Sequence, residues 1–161
     1  MKLIEKHQDM AICLWFDTQA EEAATFYTSV FHDSRINEVA RYTKAGTEIH
    51  GKKEGSVLTV NFMLNGYNFL ALNGGPHFTF NESVSFQIFC DNQEEIDYYW
   101  SRLTEGGVES QCGWLKDRFG VSWQVVPGLL PELLGDPARA ERVTAAFLKM
   151  KKFDIATLLK A

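Results

Sequence analysis

Between Met10 and Pro127 the apolar runs, helical periods and turn signals pass twice through the same order: strand, helix, then three strands. A duplicated supersecondary unit limits the architecture more than any single motif does, although here element order repeats and sequence hardly does. In the first half, Met10 to Phe16 is a short apolar run that reads as a strand. Asp17 or Thr18 can cap the segment Gln19 to Phe31, which has Glu21 and Glu22 in its first turn and places Ala23, Phe26, Tyr27, Val30 and Phe31 along one face. Ser34 to Thr43 alternates weakly as a second strand, and Lys44 to Gly55 is a polar, Gly-punctuated connection. Ser56 to Leu64 and Tyr67 to Leu72 are strands joined by the tight-turn pair Asn65–Gly66.

Asn73 to Asn81 has no helical period and connects the halves. In the second half, Ser83, Ser85 and Gln87 alternate with Val84, Phe86 and Ile88 in a strand ending at Cys90. Asp91 and Asn92 cap a helix whose face holds Ile96, Tyr99, Trp100 and Leu103, and Gly106–Gly107 stop it. That spacing assigns Tyr98, Tyr99 and Trp100 mainly to the core. Glu109 to Gln111 is a short strand. The stretch Cys112 to Pro127 then forms a hairpin around Lys116, Asp117, Arg118 and Gly120, whose charges fit a solvated turn better than an anion contact at a cleft mouth.

The predicted fold class is therefore α+β, with two βαβββ modules (8–73 and 82–127, one domain over 1–127) forming a curved mixed sheet, and a C-terminal helical extension over 128–161. Apolar strand residues should meet the two helices. The alternate set, Ser83, Ser85, Gln87, Ser122 and Gln124, should line the concave side with Trp15, Phe69 and Trp114. Polar groups converging on one concavity are the usual form of a small-molecule site, here given to Trp15, Asn73, Ser85, Gln87, Trp114 and Gln124. In the extension, Asp136–Pro137 start a helix with Val143, Ala146, Phe147 and Met150 on one face, and Asp154 caps another; this apolar surface should pack across the sheet or onto a second subunit.

A net charge of −5 in 161 residues argues against nucleic-acid or anionic-membrane partners, and Lys149, Lys151 and Lys152 read as a solvated helix face. With no signal-peptide layout and no bilayer-length apolar run, a cytoplasmic location is expected. Cys13, Cys90 and Cys112 form no CxxC pair; the first two lie in apolar runs as buried small hydrophobes, and the role of Cys112 is open. His7, His32 and His50 read as surface residues. His77, in the connector beside the expected cleft, is the candidate acid or base.

The runs LWFDTQAEEAATFYTSVF, NGGPHFTFNESVSFQIFCDNQEEIDYYW and CGWLKDRFGVSWQVVP cover most of the chain. In combination they resemble the PhnB-like branch, often labelled demethylubiquinone methyltransferase, of the vicinal oxygen chelate superfamily that includes glyoxalases, bleomycin-resistance proteins and extradiol dioxygenases. The resemblance implies paired βαβββ modules and a homodimer. It also implies where a metal would sit, because metal-dependent members place one His or Glu ligand on each of four strands. Matched to this chain, those positions fall at Met10 or Ile12, near Asn73, at Val84 or Ser85, and at Gln124. None is His or carboxylate, so no catalytic metal and no cofactor are expected. Neither Gly74–Gly75 nor Gly106–Gly107 forms the glycine-rich strand-to-helix turn of common S-adenosylmethionine enzymes, which sets the methyltransferase label aside.

Two function classes are compatible with these residues. The first is a metal-independent small-molecule binding protein. The alternative is an enzyme of lyase, isomerase or transferase type using Gln124, Ser85 or His77 without a metal, for which no tuned base or nucleophile is visible on the strands.

Overall fold

In the computed structural model, which describes residues 10–161, the chain divides after Thr79 into two compact units. The first contains β1 (Ile12–Phe16), α1 (Ala20–Val30), β2 (Ser34–Arg41), a short helical turn α2 (Thr47–His50), β3 (Val57–Leu64) and β4 (Tyr67–Asn73). The second contains β5 (Phe86–Cys90), α3 (Gln93–Thr104), β6 (Val108–Glu109), β7 (Trp114–Lys116) and β8 (Ser122–Pro127), then α4 (Leu130–Gly135), α5 (Pro137–Phe147) and α6 (Ile155–Lys160). Each unit carries one four-stranded mixed sheet, ordered β1-β4-β3-β2 and β5-β8-β7-β6. In both, the first strand pairs in parallel with the last and the remaining pairs are antiparallel. The expected α+β class and the twofold βαβββ order are thus present as two sheets of identical topology.

In the first unit, α1 buries Ala23, Phe26, Tyr27 and Val30 on the sheet face that carries Val60, Phe62, Phe69 and Ala71. Tyr27 stacks on Phe62, and Phe62 on Phe69, with ring centroids 6.1 and 5.2 Å apart. Phe69 therefore belongs to the helix-side core and not to the opposite face where Trp15 lies. Burying such side chains stabilises by about 2–3 kcal/mol each, which anchors the helix far more strongly than its own propensity.

The start of α1 departs from expectation. Neither Asp17 nor Thr18 caps it, and the N-cap residue Gln19 makes no side-chain cap bond. The N–H of Ala20 instead donates to Asn73 Oδ1 at 2.8 Å, and Asn73 Nδ2 donates to the carbonyl of Val57 at 3.1 Å. An orphan helix donor is satisfied from β4, a strand distant in sequence. The helices expected to be locally capped behave so: Asn92, Asp136 and Asp154 accept the N–H of Glu95, Ala138 and Thr157.

In the second unit, Ile88, Cys90, Leu115, Trp123 and Val125 are buried with Ile96, Trp100 and Leu103 of α3. The strand expected from Ser83 begins only at Phe86, because Asn81 Oδ1 accepts from both the N–H and the hydroxyl of Ser83 and turns the chain there. The C-terminal extension packs on its own unit. Cys112 and Gly113 donate their N–H groups to the carbonyls of Met150 and Lys151 at 2.8 and 2.7 Å. Gln93 donates to the carbonyl of Phe153 and accepts the N–H of Ile155. Gly113 has φ +79°, and a Cβ there would lie 2.5 Å from the buried Phe153 ring, so only glycine admits this docking. Lys152 pairs with Asp97 of α3 at 2.6 Å, and its hydrogen bond, ahead of that from Gln93, holds the Asp97 carboxyl below the usual carboxylate range.

Candidate functional site

On the helix-free face of the second sheet the residues form rows across three strands. Lys116 on β7 is in register with Ser122 on β8; one step along, Trp114, Gln124 and Gln87 align on β7, β8 and β5; the next pair is Val126 with Phe89. Gln87 Nε2 donates to Gln124 Oε1 at 3.1 Å, and Gln124 Nε2 donates to Ser85 Oγ at 2.7 Å. Three residues predicted from alternation are therefore brought into one hydrogen-bonded chain, with Trp114 half-buried beside its centre. Ser83 and Ser122 do not join it. Ser83 lies in the preceding turn, and Ser122 is buried with its hydroxyl directed to the carbonyl of Asn81.

The charged turn of this unit is not solvated throughout. Asp117 is 3% exposed; its Oδ1 accepts the N–H of Phe119 and of Val121, and its Oδ2 accepts the indole N–H of Trp123 at 2.8 Å. It ties the turn to the core, which explains why β7 and β8 hold their register beneath the amide chain. Spacing alone could not separate this carboxylate from its exposed neighbour Arg118. Lys116 is engaged by Glu82 at 2.5 Å, an interaction that holds the Glu82 carboxyl below its ordinary range.

On the first sheet, Trp15 lies on the face opposite α1. Its indole N–H donates to the carbonyl of Gly75 at 2.8 Å, and Phe78 meets its ring edge-on with centroids 5.0 Å apart. A Cβ at Gly74 would fall 2.1 Å from that indole, so the glycine is required by the ring's seat. Trp15 accordingly offers a ring and not a donor. Asn73 is buried, with both ends of its amide committed to Ala20 and Val57. His77 is exposed in the connector, with its ring about van der Waals distance from where a Gly75 side chain would begin. His50 is held locally, its Nδ1 accepting the N–H of Lys52 at 2.9 Å, and its ring lies 4.6 Å from that of Tyr42. His32 is exposed, whereas His7 lies outside the described residues.

Of the cysteines, Cys90 is buried and its thiol is pushed up to about 12 by burial, with Glu95 and Asp91 adding. Cys13 contradicts its expected burial: it is exposed on the face opposite the helix, because strand alternation turns Ile12, Leu14 and Phe16 inward and Cys13 outward. Cys112 sits under the extension, its Sγ directed to the carbonyl of Phe147.

The donor set does not suit a divalent ion. Met10 and Val84 are 81% and 66% exposed apolar side chains, and the amides of Asn73 and Gln124 are engaged by neighbours. Neutral amides and hydroxyls are weak ligands for transition metals. Among the described residues no three His, Cys, Asp or Glu side chains are grouped to hold an ion. Nor do the turns from each parallel strand into its helix, Asp17–Gln19 and Asp91–Asn92, contain a glycine that would let a backbone approach a nucleotide-type cofactor.

Paired βαβββ modules with this strand order define a protein of the glyoxalase and bleomycin-resistance fold class, α+β with two four-stranded mixed sheets. The sequence profile of the 3-demethylubiquinone-9 3-methyltransferase family matches residues 8–126, and the chain belongs to that PhnB-like family of the vicinal oxygen chelate superfamily. A PhnB protein from Bacillus cereus, provisionally described as a 3-demethylubiquinone-9 3-methyltransferase, is 35% identical, with 74% of this chain and 99% of that one aligned and a TM-score of 0.66. The fosfomycin resistance protein FosX from Mesorhizobium loti is 15% identical over 81% of this chain and 98% of that one, TM-score 0.55. FosX from Listeria monocytogenes, solved with Mn(II) and sulfate, is 18% identical over 80% and 98%, TM-score 0.52. At these identities the FosX likenesses show the fold alone. No curated protein sequence matches the chain significantly.

Proposed function

We propose that this chain is a metal-independent small-molecule binding protein whose ligand rests on the helix-free face of the second sheet, against Ser85, Gln87, Gln124 and Trp114. The observation that carries this reading is the position of Gln124. Where a metal-dependent relative would carry a carboxylate, this chain has an amide whose two ends bond Gln87 and Ser85. Trp15 offers a second aromatic surface on the first unit, and Asn73 acts by fixing the end of β4 from which the connector leaves. The methyltransferase of the family name is not part of the proposal, because neither strand-to-helix turn suits the cofactor.

Binding is favoured over turnover on chemical grounds. Catalysis by Ser85 would need an adjacent base, and its hydroxyl meets the Gln124 amide instead. The protein is further proposed to act as a cytoplasmic homodimer without nucleic-acid or membrane partners. Its charge of −5 supports the first exclusion, and no helix among the described residues is long and apolar enough to cross a membrane. A crystallographic fragment screen tests the reading, followed by a turnover assay on any hit with Gln124→Ala and His77→Ala as controls. Fragments seated on the Gln124 row and left chemically unchanged are expected. Turnover abolished by His77→Ala would replace the binding role with the enzymatic one.

A further inference from the structure

Resting on that binding role, we infer that the Ser85–Gln124–Gln87 chain selects a neutral, planar ligand whose edge presents a hydrogen-bond donor and an acceptor side by side, as in a lactam or cyclic imide. The chain is built from groups that each have both functions. As it stands, Gln87 Nε2 donates to Gln124 Oε1 and Gln124 Nε2 donates to Ser85 Oγ; Ser85 and Gln87 end the chain, and each amide keeps a second N–H and a second oxygen lone pair side by side for an incoming edge. A half-turn of both amides, with the serine hydroxyl then donating, reverses the direction and exchanges the roles of the ends. Such a chain meets a donor–acceptor edge in either orientation. It offers no fixed charge.

The surrounding charges point the same way. Lys116, one row away on the same face, is neutralised by Glu82 at 2.5 Å. An anion placed on the Gln124 row would lose water beside a lysine already engaged by Glu82, and a cation would meet a Glu82 carboxylate already engaged by that lysine, so either is disfavoured. The flanks favour a ring: Trp114 is the cross-strand neighbour of Gln124, and Phe89, 59% exposed, stands two residues along β5 from Gln87 on the same face. Aromatic surface beside a small number of placed polar groups is the common make-up of a site for a planar ligand.

Titration of intrinsic tryptophan fluorescence with three probes tests the inference: quinolin-2-one as the lactam, quinoline-2-carboxylate as an anion on the same ring, and naphthalene as the ring alone. Quinolin-2-one is expected to bind at least about tenfold more tightly than the carboxylate, and Gln124→Leu to weaken the lactam by roughly tenfold while leaving naphthalene unchanged. Gln87→Leu, at an exposed position, should weaken the lactam in the same direction if Gln124→Leu disturbs folding, as judged by its melting curve. Carboxylate binding equal to or tighter than the lactam, or lactam binding unmoved by both leucine variants, would overturn the ligand class while leaving a small-molecule role in place. Saturable binding by none of the probes also overturns it, and the binding role itself falls only if the fragment screen is blank as well.

Discussion

The side chain of Asn73, at the end of β4, accepts the backbone N–H of Ala20 at 2.8 Å and so caps a helix that begins 53 residues earlier. Its Nδ2 simultaneously holds the carbonyl of Val57 on the neighbouring strand. Removing this amide leaves one buried donor and one acceptor without their partner. Asn73→Ala should cost about 1–3 kcal/mol in chemical denaturation, and Asn73→Asp, which keeps the acceptor for Ala20 but loses the donor, should cost less. Equal stability of the alanine variant and the parent would show that Asn73 has no such role.

The alkaline limb of stability should report on Cys90. Its folded value is raised to about 12 against an ordinary 9.0, chiefly by burial. The folded state therefore keeps its proton where the unfolded chain releases it, so the contribution is fully present below 9.0 and is lost as pH rises toward the folded value. Denaturation midpoints should fall as pH rises above 9.0 toward about 12, and fall less in Cys90→Ala. A thiol reagent applied to the native chain should modify the exposed Cys13 well before Cys90. Equal rates would contradict the packing of β5.

Much of this fold is legible in the sequence, and the failures share a cause. Strand alternation and helix caps are local, so the two βαβββ orders and the caps at Asn92, Asp136 and Asp154 can be read directly. The cap of α1 comes from Asn73, the burial of Asp117 depends on Trp123, and Ser122 is covered through Asn81. These are tertiary pairings, which neighbours in sequence do not announce. The Ser85, Gln87 and Gln124 set could be found because a period of two places them on one face, and parallel register then sets Gln87 beside Gln124. An apolar run does not say which of its two faces a helix will cover, and Cys13 lies on the uncovered one.

The extension should be part of the second unit's stability. Gly113→Ala would push a methyl toward Phe153 and hold an L-residue at φ +79°, costing about 1–3 kcal/mol. Deleting residues 136–161 removes Phe153 and Leu158, both buried, and should lower the denaturation midpoint further. Light scattering on the truncated chain addresses the proposed dimer: because the extension docks on its own unit, the dimer should survive, and a monomer would show that the extension also serves the second subunit.

In the proposed role, Gln124 supplies neutral hydrogen bonding at the position where a metal-dependent relative would carry a ligand. Extended dialysis against zinc, nickel, manganese or iron(II), followed by elemental analysis of the protein, tests it most directly. The parent chain is predicted to retain only substoichiometric metal, unchanged by Gln124→Ala. One equivalent of ion, lost in Gln124→Ala, would contradict the account.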